Sequence, residues 1–389
     1  MASLDLLRGI AVFGIVLANM PSFWGPELFM PSGDVRTPLD RALRIGLDLF
    51  VENRFYPLFS FLFGLGFYLF MKRARDKGAP AEALALRRFF WLLGFGAVHL
   101  AFFWFGDILH TYALGGLALL LFERLSPRAL WRWALGGLVA GALLFGLPAL
   151  QLLSVEAGDD PRLAEEAAFD LADPETAAAA IDVYRRGDVW SWLRFRWRTE
   201  LPLVLGSEGL ALVQVLPFML VGLAFGKLGV AERPAAHRAL LNRGLRWALV
   251  VWLPLFLLLL WRRLGVSAVG PTVEDWALVL LTGWAMSFVY GLVFFRWVPP
   301  ALPAWTAPIV AVGRMAFTNY ILQTVLAVGL MRLFRLYGAT TLAEELWAAG
   351  AIYGVNVAVS RFWLRRYRFG PLEWLWRMGT YGRWIPLRR

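Results

Sequence analysis

Two of the chain's three histidines, His99 and His110, flank Asp107 in the stretch "GFGAVHLAFFWFGDILHTYALGG" (Gly94–Gly116), where the other residues are mostly aromatic and aliphatic. Imidazole moves a proton near neutral pH, and a carboxylate beside it fixes its tautomer and raises its basicity. The chemistry on offer is proton transfer. The competing reading of each histidine is a structural hydrogen bond to a neighbouring helix, and the nearby acid weighs against it. A three-ligand metal set from His99, Asp107 and His110 is the weaker alternative, because no HExxH pattern is present and a closed site needs more donors. No metal is expected.

Other polar residues recur at helical spacing. In "LDLLRG" Asp5 and Arg8 lie three apart and share a helix face, either as an ion pair or with Arg8 offering its guanidinium to a phosphate. Asn19 follows on the same helix. "ENRFYPLFSFLFGLGFYLF" carries Glu52, Asn53 and Arg54, with Arg54 expected to cap a helix end or pair with Glu52; Gly64 and Gly66 lie deeper, suited to close helix packing. "VGRMAFTNYILQT" carries Arg314, Thr318, Asn319, Gln323 and Thr324, spaced as one polar stripe. Glu208, Gln214 and Asn356 are weaker candidates with structural roles expected. There is no GxSxG elbow, P-loop or strand-following GxGxxG, which removes serine-hydrolase and nucleotide-fold readings.

The elements that position these residues are set by composition. Hydrophobic residues make up 59% and charged residues 17% of 389, with a mean hydropathy of +0.58, too apolar for a soluble domain of this size. Apolar runs near the roughly 20 residues of a membrane-spanning helix recur throughout. The fold class is therefore all-α, a polytopic integral membrane bundle of about ten helices, near residues 7–23, 54–71, 89–106, 108–122, 131–150, 202–225, 247–261, 276–295, 307–331 and 346–360. The first helix carries Asp5 and Arg8 where a signal peptide would be apolar, so it is expected to be retained. The chain reads as one membrane domain over 1–389: a five-helix half (1–150), a polar extracytoplasmic segment of short amphipathic helices (151–200), and a second half (201–389). There is no cysteine, and no internal repeat stands out.

The net charge of +11 is a topology signal rather than a nucleic-acid footprint. Alternate loops and the C-terminal tail, from Lys72–Arg88 to Arg361–Arg389, hold 23 Lys and Arg against 5 Asp and Glu, and the loops between them are net acidic. The positive-inside rule then puts both termini in the cytoplasm. No nucleic-acid partner is expected, and membrane lipid is.

The blocks "LDLLRGIAVFGIVLAN", "FYPLFSFLFGLGF", "VHLAFFWFGDILHTYALGG", "VGRMAFTNYILQT" and "FGPLEWLWR" resemble, in order, the signature blocks of the bacterial YeiB family over residues 4–377. The C-terminal half of that family is domain of unknown function 418. The family is similar, more distantly, to transmembrane acyltransferases such as heparan-α-glucosaminide N-acetyltransferase and the acyltransferase-3 enzymes. The resemblance implies an inner-membrane protein that moves an acyl group from cytosolic acyl-CoA, such as acetyl-CoA, to a hydroxyl or amine on a glycan, lipid or small molecule, with no tightly bound cofactor. It implies His99 and Asp107 as catalytic residues, Asp5 and Arg8 at the opening helix, and Arg314, Asn319, Gln323 and Glu373 in the remaining blocks. His110 matches no fixed family position. Two readings of other classes stay open: a proton-coupled transporter or flippase using the same His and Asp, and a membrane scaffold. A homodimer is compatible with each.

Overall fold

The computed structural model describes residues 2–30, 37–156, 173–265, 273–299 and 301–389. Among them every extended element is helical, and the one β-bridge joins Tyr367 to Arg388. The helices are α1 (Ala2–Trp24), α2 (Pro38–Phe50), α3 (Phe55–Asp76), α4 (Ala81–Phe102), α5 (Leu109–Phe122) and α6 (Pro127–Glu156). Next come the short α7 (Pro174–Arg186), α8 (Val189–Phe195) and α9 (Leu201–Gly206), with a π-helical turn at Arg196–Glu200. The second half contains α10 (Glu208–Leu228), α11 (Arg238–Leu264), α12 (Val273–Trp297), α13 (Ala307–Arg314), α14 (Ala316–Phe334), α15 (Leu342–Arg366) and α16 (Pro371–Tyr381).

Among the described residues eight helices are long and apolar enough to cross a membrane, so the chain is a multi-pass membrane protein. Two of the ten predicted spans fall outside that set. Residues 108–122 form α5, whose 14 residues reach about 21 Å, short of the roughly 30 Å hydrocarbon core. Residues 346–360 lie within α15, which carries Glu344, Glu345, Arg361, Arg365 and Arg366 near its ends. Within the polar segment, residues 151–156 continue α6, residues 174–186 and 189–200 are helical, and 157–172 lie outside the described residues.

Ion pairs mark the two ends of the bundle. At one end Arg75 holds both Glu82 and Glu123, and Lys72 meets Glu232 at 3.1 Å. At the other, Arg44 pairs with Glu27 at 2.5 Å, and Arg263 bridges Asp48 and Asp275. Between them the largest apolar cluster is built on α3, α4, α5 and α10. The α3–α10 crossing brings backbone against backbone: a Cβ on Gly64 would lie 1.9 Å from the Met219 carbonyl oxygen, and one on Gly222 2.0 Å from that of Phe61. Only glycine permits this approach.

Two predicted spans are interrupted. The run 202–225 breaks at Ser207, between α9 and α10. The run 307–331 breaks at Met315, where Glu373 of α16 accepts hydrogen bonds from the backbone N–H groups of Phe317 (2.8 Å) and Thr318 (3.0 Å). A carboxylate satisfying the free N–H groups of a first turn favours a new helix start at that point. The expected continuous stripe from Arg314 to Thr324 is therefore split, and Arg314 ends one helix while Thr318 opens the next.

Candidate active site

The turn between α4 and α5, residues 103–108, folds Asp107 back between two imidazoles. Asp107 Oδ1 lies 2.7 Å from His99 Nδ1, and Oδ2 lies 2.7 Å from His110 Nδ1 and 2.9 Å from the His110 backbone N–H. The close approach of α4 to α5 depends on Gly96, where a Cβ would meet the His110 backbone nitrogen at 2.4 Å. All three side chains are buried. His110 Nε2 continues to Glu208 Oε2 of α10 at 2.8 Å, and His99 Nε2 to Thr324 Oγ1 of α14 at 3.0 Å. The result is one chain of contacts, Glu208–His110–Asp107–His99–Thr324, drawn from four helices and the α4–α5 turn.

The chemistry of this chain follows from its partners. Both His110 ring nitrogens face carboxylate oxygens, the pattern of an imidazolium donating twice, which offsets the charge of Asp107. His99 faces a carboxylate on one side only. With its Nδ1–H given to Asp107, Nε2 holds the lone pair and is the basic atom. The His99, Asp107 and His110 donors point at one another rather than at a shared centre.

Next to this chain a cavity of about 920 Å³ ends against Ile108, Tyr320 and Gln323. The Tyr320 ring lies 5.4 Å from that of His99, and its hydroxyl is within 3.3 Å of the Ile108 backbone N–H and 3.5 Å of the Gly106 carbonyl. The middle of the cavity is walled by Phe59, Phe63, Phe67, Phe89, Leu92 and Tyr112. The far end is cationic, with Arg8, Arg73, Lys77, Arg314, Arg377 and Arg383 in its lining. Arg88 also lines it, with its guanidinium 3.5 Å over the Trp376 ring, and Arg377 lies 4.4 Å over Phe369. Neither makes an ion pair with a carboxylate among the described residues. Among the described residues Glu373 is the one acid in the lining, and burial pushes its carboxyl above the ordinary 4.5, an effect that hydrogen bonds from Thr318 and the backbone only partly offset.

The other sequence candidates separate into two groups. Arg8, Arg314, Gln323 and Glu373 line the cavity. Asp5 pairs with Arg8 at 2.8 Å, and Thr318 donates its hydroxyl to Glu373 at 2.5 Å. Asn319 lies outside the lining: its amide donates to the Val312 carbonyl and the Ser360 hydroxyl, tying α14 to α13 and α15. Asn19 is half-buried on α1 and does not border the cavity. Arg54 is fully buried at the opposite end of the bundle, where it donates to the backbone carbonyls of Glu52 and Val279 rather than to the Glu52 carboxylate. Sequence reasoning gave Tyr320 no role and Glu208 a structural one. It gave Arg73, Lys77, Arg88, Arg377 and Arg383 no individual role, because no spacing rule brings α3, α4 and α16 to one cavity mouth.

Residues 225–383 match the family model described as "Protein of unknown function (DUF418)". Over its whole length the chain is similar to the "Uncharacterized protein YxaH" of Bacillus subtilis (strain 168), at 32% identity over 411 residues, covering 99% of this chain and 95% of the relative. It is also similar to the "Uncharacterized 39.9 kDa protein in amylase 3'region" of Bacillus acidopullulyticus, at 31% over 402 residues, with 99% and 95% covered. The "Uncharacterized protein YeiB" of Escherichia coli (strain K12) matches at 29% over 416 residues, covering 97% of this chain and 95% of the relative.

Proposed function

The chain belongs to the YeiB family of DUF418 membrane proteins, and from that premise and the site's geometry we propose that it is a membrane acyltransferase fed by acyl-CoA from the cytoplasm. One observation carries the reading: one cavity joins a cationic mouth to an apolar passage that ends at Tyr320, whose ring lies 5.4 Å from that of His99 in the buried His99–Asp107 pair just beyond the lining. Phosphates suit the arginines at the mouth, an acyl chain suits the phenylalanines, and the thioester comes to lie near Tyr320 and Gln323. The basic end of the bundle faces the cytoplasm, both termini with it, in the inner membrane of a bacterium.

In this scheme His99 Nε2 removes the proton of the incoming hydroxyl or amine, and Asp107 holds the ring and balances its charge. The Tyr320 hydroxyl, only loosely held at Gly106, is placed to donate to the oxyanion of a tetrahedral intermediate. The acceptor, on a glycan, lipid or small molecule, arrives from the opposite side of the membrane.

The run of titratable groups from Glu208 to His99 also suits a proton relay in a transporter. Equilibrium binding to the purified protein separates the readings. Acyl-CoA is expected to bind saturably, dephospho-CoA thioesters more weakly, and Arg8→Ala or Arg377→Ala to lower affinity by roughly 10-fold each, as for loss of a charge-assisted hydrogen bond. Absence of binding, together with proton-coupled solute uptake into vesicles that depends on His99, would establish the transporter.

A further inference from the structure

On α14, Tyr320, Gln323 and Thr324 occupy one face at i, i+3 and i+4. The first two line the inner end of the cavity; Thr324, next on that face, is fully buried just outside the lining with its hydroxyl against His99. A buried threonine in a helix ordinarily gives its proton to the carbonyl four residues back. Here that carbonyl, on Tyr320, is 3.5 Å away, whereas His99 Nε2 is at 3.0 Å. Because His99 Nδ1 faces Asp107 at 2.7 Å, Nε2 is the acceptor and the Thr324 hydroxyl its donor. Hydroxyl, imidazole and carboxylate thus follow one another in the order of a nucleophile, its base and the group that orients the base.

We propose that Thr324 is the catalytic nucleophile and carries the acyl group between donor and acceptor. The assignment rests on the acyl-transfer reading above. In the first half-reaction the Thr324 oxygen attacks the thioester carbonyl carbon while its proton passes to His99 Nε2. A C–O bond forms, the C–S bond breaks, and the CoA thiolate leaves with the proton from His99. In the second half the acceptor hydroxyl or amine gives its proton to His99 and attacks the Thr324 ester; the ester C–O bond breaks and Thr324 recovers the proton. The two substrates then need not be bound together, which suits a donor and an acceptor arriving from opposite faces of one membrane.

The test is mass spectrometry of the full-length protein after incubation with acetyl-CoA or palmitoyl-CoA, acid quench and trypsin. Cleavage after Arg314 and Arg332 isolates the peptide 315–332. The expected result is one acyl group on that peptide and one equivalent of CoA thiol released in a burst. Thr324→Ser is expected to keep the adduct, while Thr324→Val and His99→Ala abolish it. A Thr324→Val protein that releases CoA thiol and acylates acceptor at the wild-type rate overturns the assignment. A non-reacting thioether analogue of acyl-CoA separates the two readings. Its binding, with no adduct formed from the thioesters, overturns Thr324 alone; its failure to bind overturns the donor site and Thr324 with it.

Discussion

Asp107 holds His110 twice through one oxygen, by the backbone N–H at 2.9 Å and by ring Nδ1 at 2.7 Å, and so keeps its other oxygen for His99. A carboxylate pinned this way cannot rotate to follow the His99 ring; it sets the ring's position. An amide in its place presents an acceptor oxygen on one side and an NH2 group, with two N–H donors, on the other, and so cannot accept from both imidazoles. Asp107→Asn is therefore expected to lower acyl transfer by roughly 100- to 10,000-fold, the range of a general base that loses its tautomer and orientation. On the acyl-transfer reading, affinity for acyl-CoA at the distant cationic mouth is expected to stay near wild type. Loss of binding in parallel with rate would mean that the substitution disturbs the fold rather than the base.

Gly64 and Gly66 lie two residues apart on α3 and should separate in function. A Cβ at Gly64 collides with the backbone of α10, so Gly64→Ala is expected to cost about 1–3 kcal/mol through overpacking and to lower the thermal midpoint. Gly66 lines the cavity, and a Cβ there makes only an ordinary 3.6 Å contact with Arg8 Nη2. Gly66→Ala should be stable and active. Gly66→Trp should remain folded yet lose donor binding, because the indole occupies the passage. Thermal unfolding and equilibrium binding on the three variants check this; a destabilised Gly66→Ala would contradict it.

The helical membrane class was legible because lipid imposes it: apolar runs of spanning length and a biased Lys/Arg distribution follow from solvation and insertion. That His99 and Asp107 lie near each other was legible for a local reason, since both residues lie on one tight hairpin; their 2.7 Å contact was not, because it depends on how the turn at 103–108 folds back. Thr324, Glu208 and Tyr320 join that site from helices more than ninety residues away, and no periodicity reports which face of α14 meets which face of α4. The break at Met315 was hidden for the same reason. Its cause is Glu373, a carboxylate supplied from the far end of the chain, and local sequence around 315 reads as uninterrupted helix.

That capping carboxylate has a pH signature. Burial raises the folded-state pKa of Glu373 above its ordinary 4.5, so between the two values the folded protein holds a proton that the unfolded chain has lost. Stability from this group is full below about pH 4.5 and declines as pH rises through the raised folded value. Glu373→Gln removes the titration while keeping an acceptor for the Phe317 and Thr318 N–H groups. Relative to this variant, the wild type is expected to lose thermal stability as pH increases from 4.5. Parallel stability profiles for the two proteins would show that Glu373 titrates normally.

The phenylalanine walls make a prediction about the donor itself. From the arginines at the mouth to Tyr320 the lining is aromatic and aliphatic, the environment of a chain rather than of an acetyl group. Each methylene moved from water into such a wall contributes about 0.8 kcal/mol, or roughly fourfold in affinity. Binding of saturated acyl-CoAs should therefore tighten with chain length until the passage is filled and then level off, with the phosphates contributing a constant, salt-sensitive increment. Phe63→Trp and Phe89→Trp, which add bulk to the wall, should move the plateau to shorter chains without changing the affinity for acetyl-CoA. Titrations across a series from acetyl- to palmitoyl-CoA measure this directly. An affinity independent of chain length would place the acyl group outside the passage and confine the recognised part of the donor to its phosphates.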